Sequence, residues 1–193
     1  MEPIKLISGP VSVLDRADVD TDQIIPKQFL KRIERTGYGE FLFHDWRQDP
    51  AFELNRPEYA GATILVTGRN FGCGSSREHA AWALQDYGFE VVVAPSFGDI
   101  FASNASQIGL VTVVLPEQQV RGLMEAHELT VDLEALTVIP EGGEPIAFDF
   151  DPSRRHKLLH GLDDVALTLE HVDEISAYEA SRPARVDTTA LPV

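Results

Sequence analysis

Between residues 62 and 126 the chain switches repeatedly between two hydrophobic periods. Ala62-Thr63-Ile64-Leu65-Val66, Val91-Val92-Val93-Ala94 and residues 110–115 are short, β-branched apolar runs, the pattern of buried strands. Residues 75–87, 97–107 and 117–126 read as helices. The first stops at Gly88 and the last begins after Pro116. A β-α-β-α-β-α order leaves few topologies, because parallel strands need long crossovers and those crossovers are right-handed. The expected fold class is α/β, with a central, largely parallel sheet flanked by helices.

The flanking segments add smaller elements. Residues 4–14 read as an opening strand or hairpin broken by Gly9-Pro10. Residues 15–26 read as a polar loop with Asp18, Asp20 and Asp22 on alternate positions. Residues 29–39 mix charge with paired glycines, as expected of a surface lid, and residues 41–46 suit a short helix. After residue 126, short strands are expected at 129–133, 137–139 and 146–150, with a hairpin turn at Glu141-Gly142-Gly143-Glu144. Helices follow at 153–160 and 171–182. The 193 residues are expected to form one domain over 1–182, with a flexible tail at 183–193.

Charge and cysteine usage exclude several classes. Sixteen Lys and Arg against 31 Asp and Glu give a net charge of −15. Neither nucleic acid nor an anionic membrane is an expected partner, and an anionic ligand must be held by local positive groups. The single cysteine, Cys73, forms no internal disulfide and supplies too few thiolates for an iron–sulfur cluster. That usage suits a reducing cytoplasm. The N-terminus does not read as a signal peptide, and no apolar run approaches the roughly 20 residues of a membrane span.

The chemistry concentrates in Gly68-Arg69-Asn70-Phe71-Gly72-Cys73-Gly74-Ser75-Ser76-Arg77-Glu78-His79. This segment lies between a strand and a helix, where open α/β folds bind ligands. Glycines let backbone N–H groups approach a ligand, and a helix N-terminus adds free donors. With two hydroxyls and a guanidinium, it forms an anion pocket suited to carboxylates. The dinucleotide, Walker and serine-hydrolase patterns are not met. Ser75-Ser76-Arg77-Glu78 also matches a capping box, which would make these serines structural. Cys73 reads as a small residue in a tight turn and His79 as a packing residue. His156 and His160 stand four apart without the further ligands that a metal site needs.

Gly74-Ser75-Ser76-Arg77-Glu78-His79-Ala80 resembles the signature of the swivelling domain of the aconitase superfamily, in particular the small subunits of bacterial 3-isopropylmalate dehydratases. Val19-Asp20-Thr21-Asp22-Gln23-Ile24-Ile25-Pro26, residues 28–46, 95–110 and 161–180 are similar too, so the resemblance covers nearly the whole chain. It implies a swivelling β/β/α domain like the aconitase C-terminal domain. It implies isomerisation of 2-isopropylmalate and 3-isopropylmalate through isopropylmaleate in leucine biosynthesis. No cofactor is then expected on this chain; a [4Fe–4S] cluster sits on a large-subunit partner. By resemblance Ser75 is the base, as an alkoxide, in preference to pure capping. Asp22 is an active-site acidic residue working with a partner histidine. Ser76 and Arg77 bind a substrate carboxylate, and Lys31 or Arg32 supplies a second cation. Phe29 and Leu30 face the isopropyl group. The alternatives are a related hydro-lyase subunit acting on citraconate, dimethylmalate or homoaconitate, and a non-catalytic carboxylate-binding module.

Overall fold

The computed structural model describes residues 2–31 and 36–182. Strand β1 (Leu6–Leu14) is one nine-residue strand and not a hairpin. Its second half pairs parallel with β2 (Ile64–Thr67), Val11 opposite Ile64 and Leu14 opposite Thr67. Its first half pairs antiparallel, on the other edge, with β5 (Glu128–Asp132), Leu6 opposite Asp132 and Pro10 opposite Glu128. Pro10 has no N–H to donate, and the ladder resumes at Val11, whose N–H reaches the His127 carbonyl at 2.9 Å. A strand that changes partner halfway does not need the turn that Gly9-Pro10 suggested.

The parallel half continues from β2 to β3 (Val91–Ala94) and β4 (Val111–Val114). The antiparallel half continues from β5 to β6 (Thr137–Pro140) and β7 (Ile146–Ala147). The seven-stranded order is β4-β3-β2-β1-β5-β6-β7. Successive side chains of a strand point to opposite faces, so the sheet sorts its residues into two cores. Leu14, Leu65 and Val92 join an aromatic-rich layer with Tyr38, Phe43, Phe71 and Phe101. Ile64, Val66, Val91, Val93, Val111 and Val113 join an aliphatic layer with Leu129, Val131 and Leu158.

Helices α3 (Glu78–Tyr87) and α4 (Asp99–Ile108) cover the aromatic face. Ala80, Ala81 and Ala83 are buried on α3, where small side chains let the helix lie close to its neighbours. Gly88 ends α3 in a left-handed conformation at φ 119°, as its position predicted. Helices α5 (Glu117–Leu123) and α6 (Pro152–His160) place Val120, Leu123 and Leu158 in the aliphatic layer.

Three local readings are corrected. Helix α3 begins at Glu78 with Arg77 at its N-cap, so Ser75 is not a cap. The capping box stands instead at Asp20. Its Oδ1 accepts from Asp22 N and Gln23 N, both at 2.8 Å, and Gln23 Oε1 accepts from Asp20 N at 2.8 Å. That box starts α1 (Thr21–Ile24) inside the expected loop. Beyond α2 (His44–Arg47) the remaining helices are α7 (Asp164–Leu169), which sequence periodicity was too short to reveal, and α8 (Val172–Ser181). The expected tail at 183–193 lies outside the described residues, and no helix among the described residues is long and apolar enough to cross a membrane.

Where β2 ends, its chain passes under the backbone that follows β1. A Cβ at Gly68 would stand 2.4 Å from the Arg16 carbonyl oxygen. Backbone cannot rotate aside as a side-chain tip does. Gly68→Ala is therefore expected to lower unfolding free energy by about 1–3 kcal/mol, read by urea denaturation. An unchanged midpoint would contradict this packing.

Candidate active site

The glycine-rich segment leaves the carboxyl end of β2 and is clamped on both sides by backbone. On one side Asp18 N donates to Arg69 O at 2.9 Å, Gly72 N to Val19 O at 2.8 Å, and Thr21 N to Cys73 O at 2.9 Å. Thr21 Oγ1 adds a bond to Ser75 O at 3.1 Å. On the other side Asn70 N donates to Ser96 Oγ at 2.9 Å, Phe71 N to Ser96 O at 3.1 Å, and Gly98 N to Phe71 O at 2.9 Å. Phe71 is buried and edge-on to Phe101 at 5.4 Å. Gly72 has φ +73°, and a Cβ there would stand 2.2 Å from Phe101 Cγ, so both conformation and space require glycine.

Past these anchors the chain surfaces. Ser75 and Ser76 are exposed, immediately before α3. Arg77 turns back inward: its side chain is only 15% exposed. Its Nη1 donates to Asp22 Oδ1 at 2.5 Å and to Ile25 O at 3.2 Å. Both hydrogens of that nitrogen are thereby engaged, and the Nε–H and Nη2 edge is left for a carboxylate fork. Asp22 Oδ1 also accepts from Lys27 N at 3.0 Å. The Arg77 hydrogen bond, above all, holds the Asp22 carboxyl below its usual range against a smaller effect of burial. Asp22 is thus an ionised acceptor at neutral pH, which suits orienting a cation and not donating a proton.

Of the residues singled out by sequence, the fold brings Asp22, Ser75, Ser76 and Arg77 to one place. Lys31 is exposed at the end of a 3₁₀ turn, Lys27–Lys31. Arg32 lies outside the described residues. Phe29 is half-buried, stacked on Phe41 at 4.1 Å with His44 edge-on at 4.8 Å, and Leu30 packs against the aromatic core. Within the hydrogen bonds of the described residues, this turn reaches the serine loop through the Lys27 N–H bond to Asp22.

Sequence reasoning missed the clamps. Val19, Thr21 and Ser96 lie in segments that carry the resemblance, but they act through backbone or a single hydroxyl, and nothing in their residue types marks the bonds they make. Asn70 offered a signal, because it holds φ 57°, a conformation asparagine tolerates, and its Nδ2 reaches Asp18 Oδ1 at 2.8 Å. Burial first, then Asp20 and Asp18, push the Cys73 thiol up, so the thiol and not the thiolate is favoured. Burial likewise lowers His79, whose ring lies edge-on to Tyr38 at 5.0 Å. His156 faces Glu170 at 3.1 Å and His160 bonds the His156 carbonyl at 2.9 Å.

Residues 1–118 match the family of the aconitase C-terminal domain, and residues 164–186 match the C-terminal domain of the 3-isopropylmalate dehydratase small subunit. The 3-isopropylmalate dehydratase small subunit of Acidobacterium capsulatum is 57% identical, over 93% of this chain and 90% of its own length. That of Rubrobacter xylanophilus is 54% identical over 95% and 96%. The chain belongs to the 3-isopropylmalate dehydratase small-subunit family. The crystal structure of a 3-isopropylmalate dehydratase from Methanocaldococcus jannaschii matches with a TM-score of 0.67 at 26% identity, covering 90% of this chain and 99% of that one. The fold of this small subunit is accordingly the aconitase C-terminal type, a mixed seven-stranded sheet with a parallel core.

The Asp22–Arg77 pair yields a pH prediction. Because the Asp22 pKa is depressed on folding, the pair stabilises above the ordinary carboxylate pKa, and that stability is lost as pH falls through the folded value. Asp22→Asn should be less stable than the wild type at pH 7. The gap should close progressively below about pH 4. Urea unfolding at both pH values measures it; a gap unchanged at pH 3 would contradict the pairing.

Proposed function

We propose that the chain is the small subunit of a 3-isopropylmalate dehydratase and contributes the proton-transfer and carboxylate-binding half of its active site. The observation that carries this reading is that two exposed serines, Ser75 and Ser76, immediately precede an Arg77 whose guanidinium is fixed by Asp22 and Ile25 O. The reaction interconverts 2-isopropylmalate and 3-isopropylmalate through isopropylmaleate, by loss and return of water, within leucine biosynthesis.

Ser75 acts as the base. Its deprotonated Oγ takes the proton from the carbon next to the hydroxyl-bearing one; the C–H electron pair becomes the double bond, and the hydroxyl leaves as water with a proton supplied by an acid of the large subunit. The reverse delivery returns the proton to the other carbon. An isolated serine is a poor base, so its charged form needs stabilisation, and the N-terminus of α3 and the Arg77 guanidinium supply it. The free edge of Arg77 holds one substrate carboxylate as a fork, with Ser76 beside it. Lys31 or Arg32 holds the second carboxylate, and Phe29 and Leu30 face the isopropyl group.

The chain does not fit an iron–sulfur cluster of its own. It has one thiol, Cys73, held protonated by burial, and among the described residues no three His, Cys, Asp or Glu side chains form a metal-binding group. The family's [4Fe–4S] cluster therefore belongs, in this reading, to the large subunit, in the cytoplasm.

In the enzyme assembled with its large subunit, Ser75→Ala should lower kcat by roughly 10³-fold while substrate affinity changes little. Arg77→Lys, which loses the fork, should mainly raise KM. Steady-state kinetics together with direct substrate titration separate the two effects. Near wild-type turnover by the Ser75 variant would refute its role as base.

A further inference from the structure

Helices α7 and α8 bury no residue fully and leave large apolar side chains exposed. Val165 on α7 is 66% exposed and Leu169 57%; on α8, Val172 is 47% and Tyr178 59% exposed. No residue of α8 is buried. A free helix of ten residues is marginal in water, because too few bonds repay nucleation. Helix α7 is tethered to α6 by polar contacts: the buried Lys157 Nζ reaches Asp164 at 2.6 Å, and His156 reaches Glu170 at 3.1 Å. Around α8 the polar and ring contacts among the described residues are internal: His171 with Glu174 at 3.4 Å, Ser181 with the Tyr178 carbonyl, and Arg182 over the Tyr178 ring.

The exposed apolar residues are patterned. Val165 and Leu169 stand four apart on α7, and Val172 and Tyr178 stand six apart on α8, with the half-buried Ile175 midway between them. These are the spacings of helical anchors that enter a groove. Between residues 163 and 182 six carboxylates flank them against one basic side chain, Arg182. A second copy would bring carboxylates against carboxylates, in a chain already at −15. The occupant that this surface fits is therefore apolar at its centre and basic at its rim. The segment also matches a family domain of its own, residues 164–186, named for the small subunit of a two-part enzyme.

We propose that the apolar side of α7 and α8 docks into an apolar, basic-rimmed groove on the large subunit. The inference rests on the small-subunit reading above and adds the surface that makes the assembly. Docking would cover the apolar side chains that α7 and α8 expose among the described residues, next to the Lys157–Asp164 ion pair.

The test uses the full chain and the cluster-loaded large subunit, with affinity and association rate measured by biolayer interferometry. The double variant Leu169→Asp/Val172→Asp changes only exposed side chains and should keep the thermal midpoint of the isolated chain. It should bind at least 100-fold more weakly, yet reach wild-type kcat when the large subunit is raised to saturation. The milder Glu174→Lys should slow association several-fold at low salt, with the difference vanishing at high salt. Unimpaired binding by the double variant, while the wild type binds and turns over, would overturn the docking surface and leave the functional reading intact. A wild-type dimer dissolved by the double variant would overturn it in favour of a second copy. No binding or turnover by the wild type would sink the functional reading itself, and the docking surface with it.

Discussion

A loop with three glycines among seven residues cannot hold a shape by itself, because glycine loses the most conformational freedom on ordering. Here two passing segments impose the shape. Residues 18–21 and 96–98 bond the backbone of residues 69–73 from opposite sides, so the loop behaves as a short central strand beyond the end of β2. Phe71 pins it from beneath, and Phe101 fills the space a side chain at Gly72 would take. The position of Ser75 and Ser76 depends on that clamp, since the Ser75 carbonyl accepts its last bond, from Thr21 Oγ1, and Ser76 comes next.

The same segment that clamps the loop also sets its electrostatics. Asp20 starts α1, α1 presents Asp22, and Asp22 fixes Arg77. A chain of net charge −15 repels a dicarboxylate at long range, so binding relies on positive groups within a few ångströms. Arg77 is held at one nitrogen by Asp22 and Ile25 O, and in the proposed reading its other edge is aimed at a carboxylate. Asp22 lowers the local positive charge but removes the entropy of orienting a long side chain. That trade favours geometry over raw attraction, which suits a site whose substrate must be placed for proton transfer.

The alternation of β-branched runs and helical stretches makes β2, α3, β3, α4 and β4 legible, because β2 and β3 are buried throughout and β4 over its first three residues. Strand β1 was harder: one half answers to β2 and the other to β5, and neither pairing leaves a local signature. The capping box was misplaced for a similar reason. Ser75-x-x-Glu78 and Asp20-x-x-Gln23 both satisfy the pattern, and tertiary bonding decides between them. Thr21 draws Ser75 O into the clamp and Arg77 N closes onto Ser75 O at 2.8 Å, so α3 starts later. Of the candidate site, the glycine-rich loop with Ser75, Ser76 and Arg77 stands out in the sequence as an anion pocket, and its roles come from resemblance; the backbone clamp that shapes the loop leaves no such signal.

The central claim is that this chain carries one half of a divided active site. Conversion of 2-isopropylmalate should be followed anaerobically with the chain alone, the cluster-loaded large subunit alone, and the two mixed. The account predicts turnover in the mixture only, rising with added chain until the two subunits are matched. Turnover by either subunit alone at the rate of the mixture would contradict it.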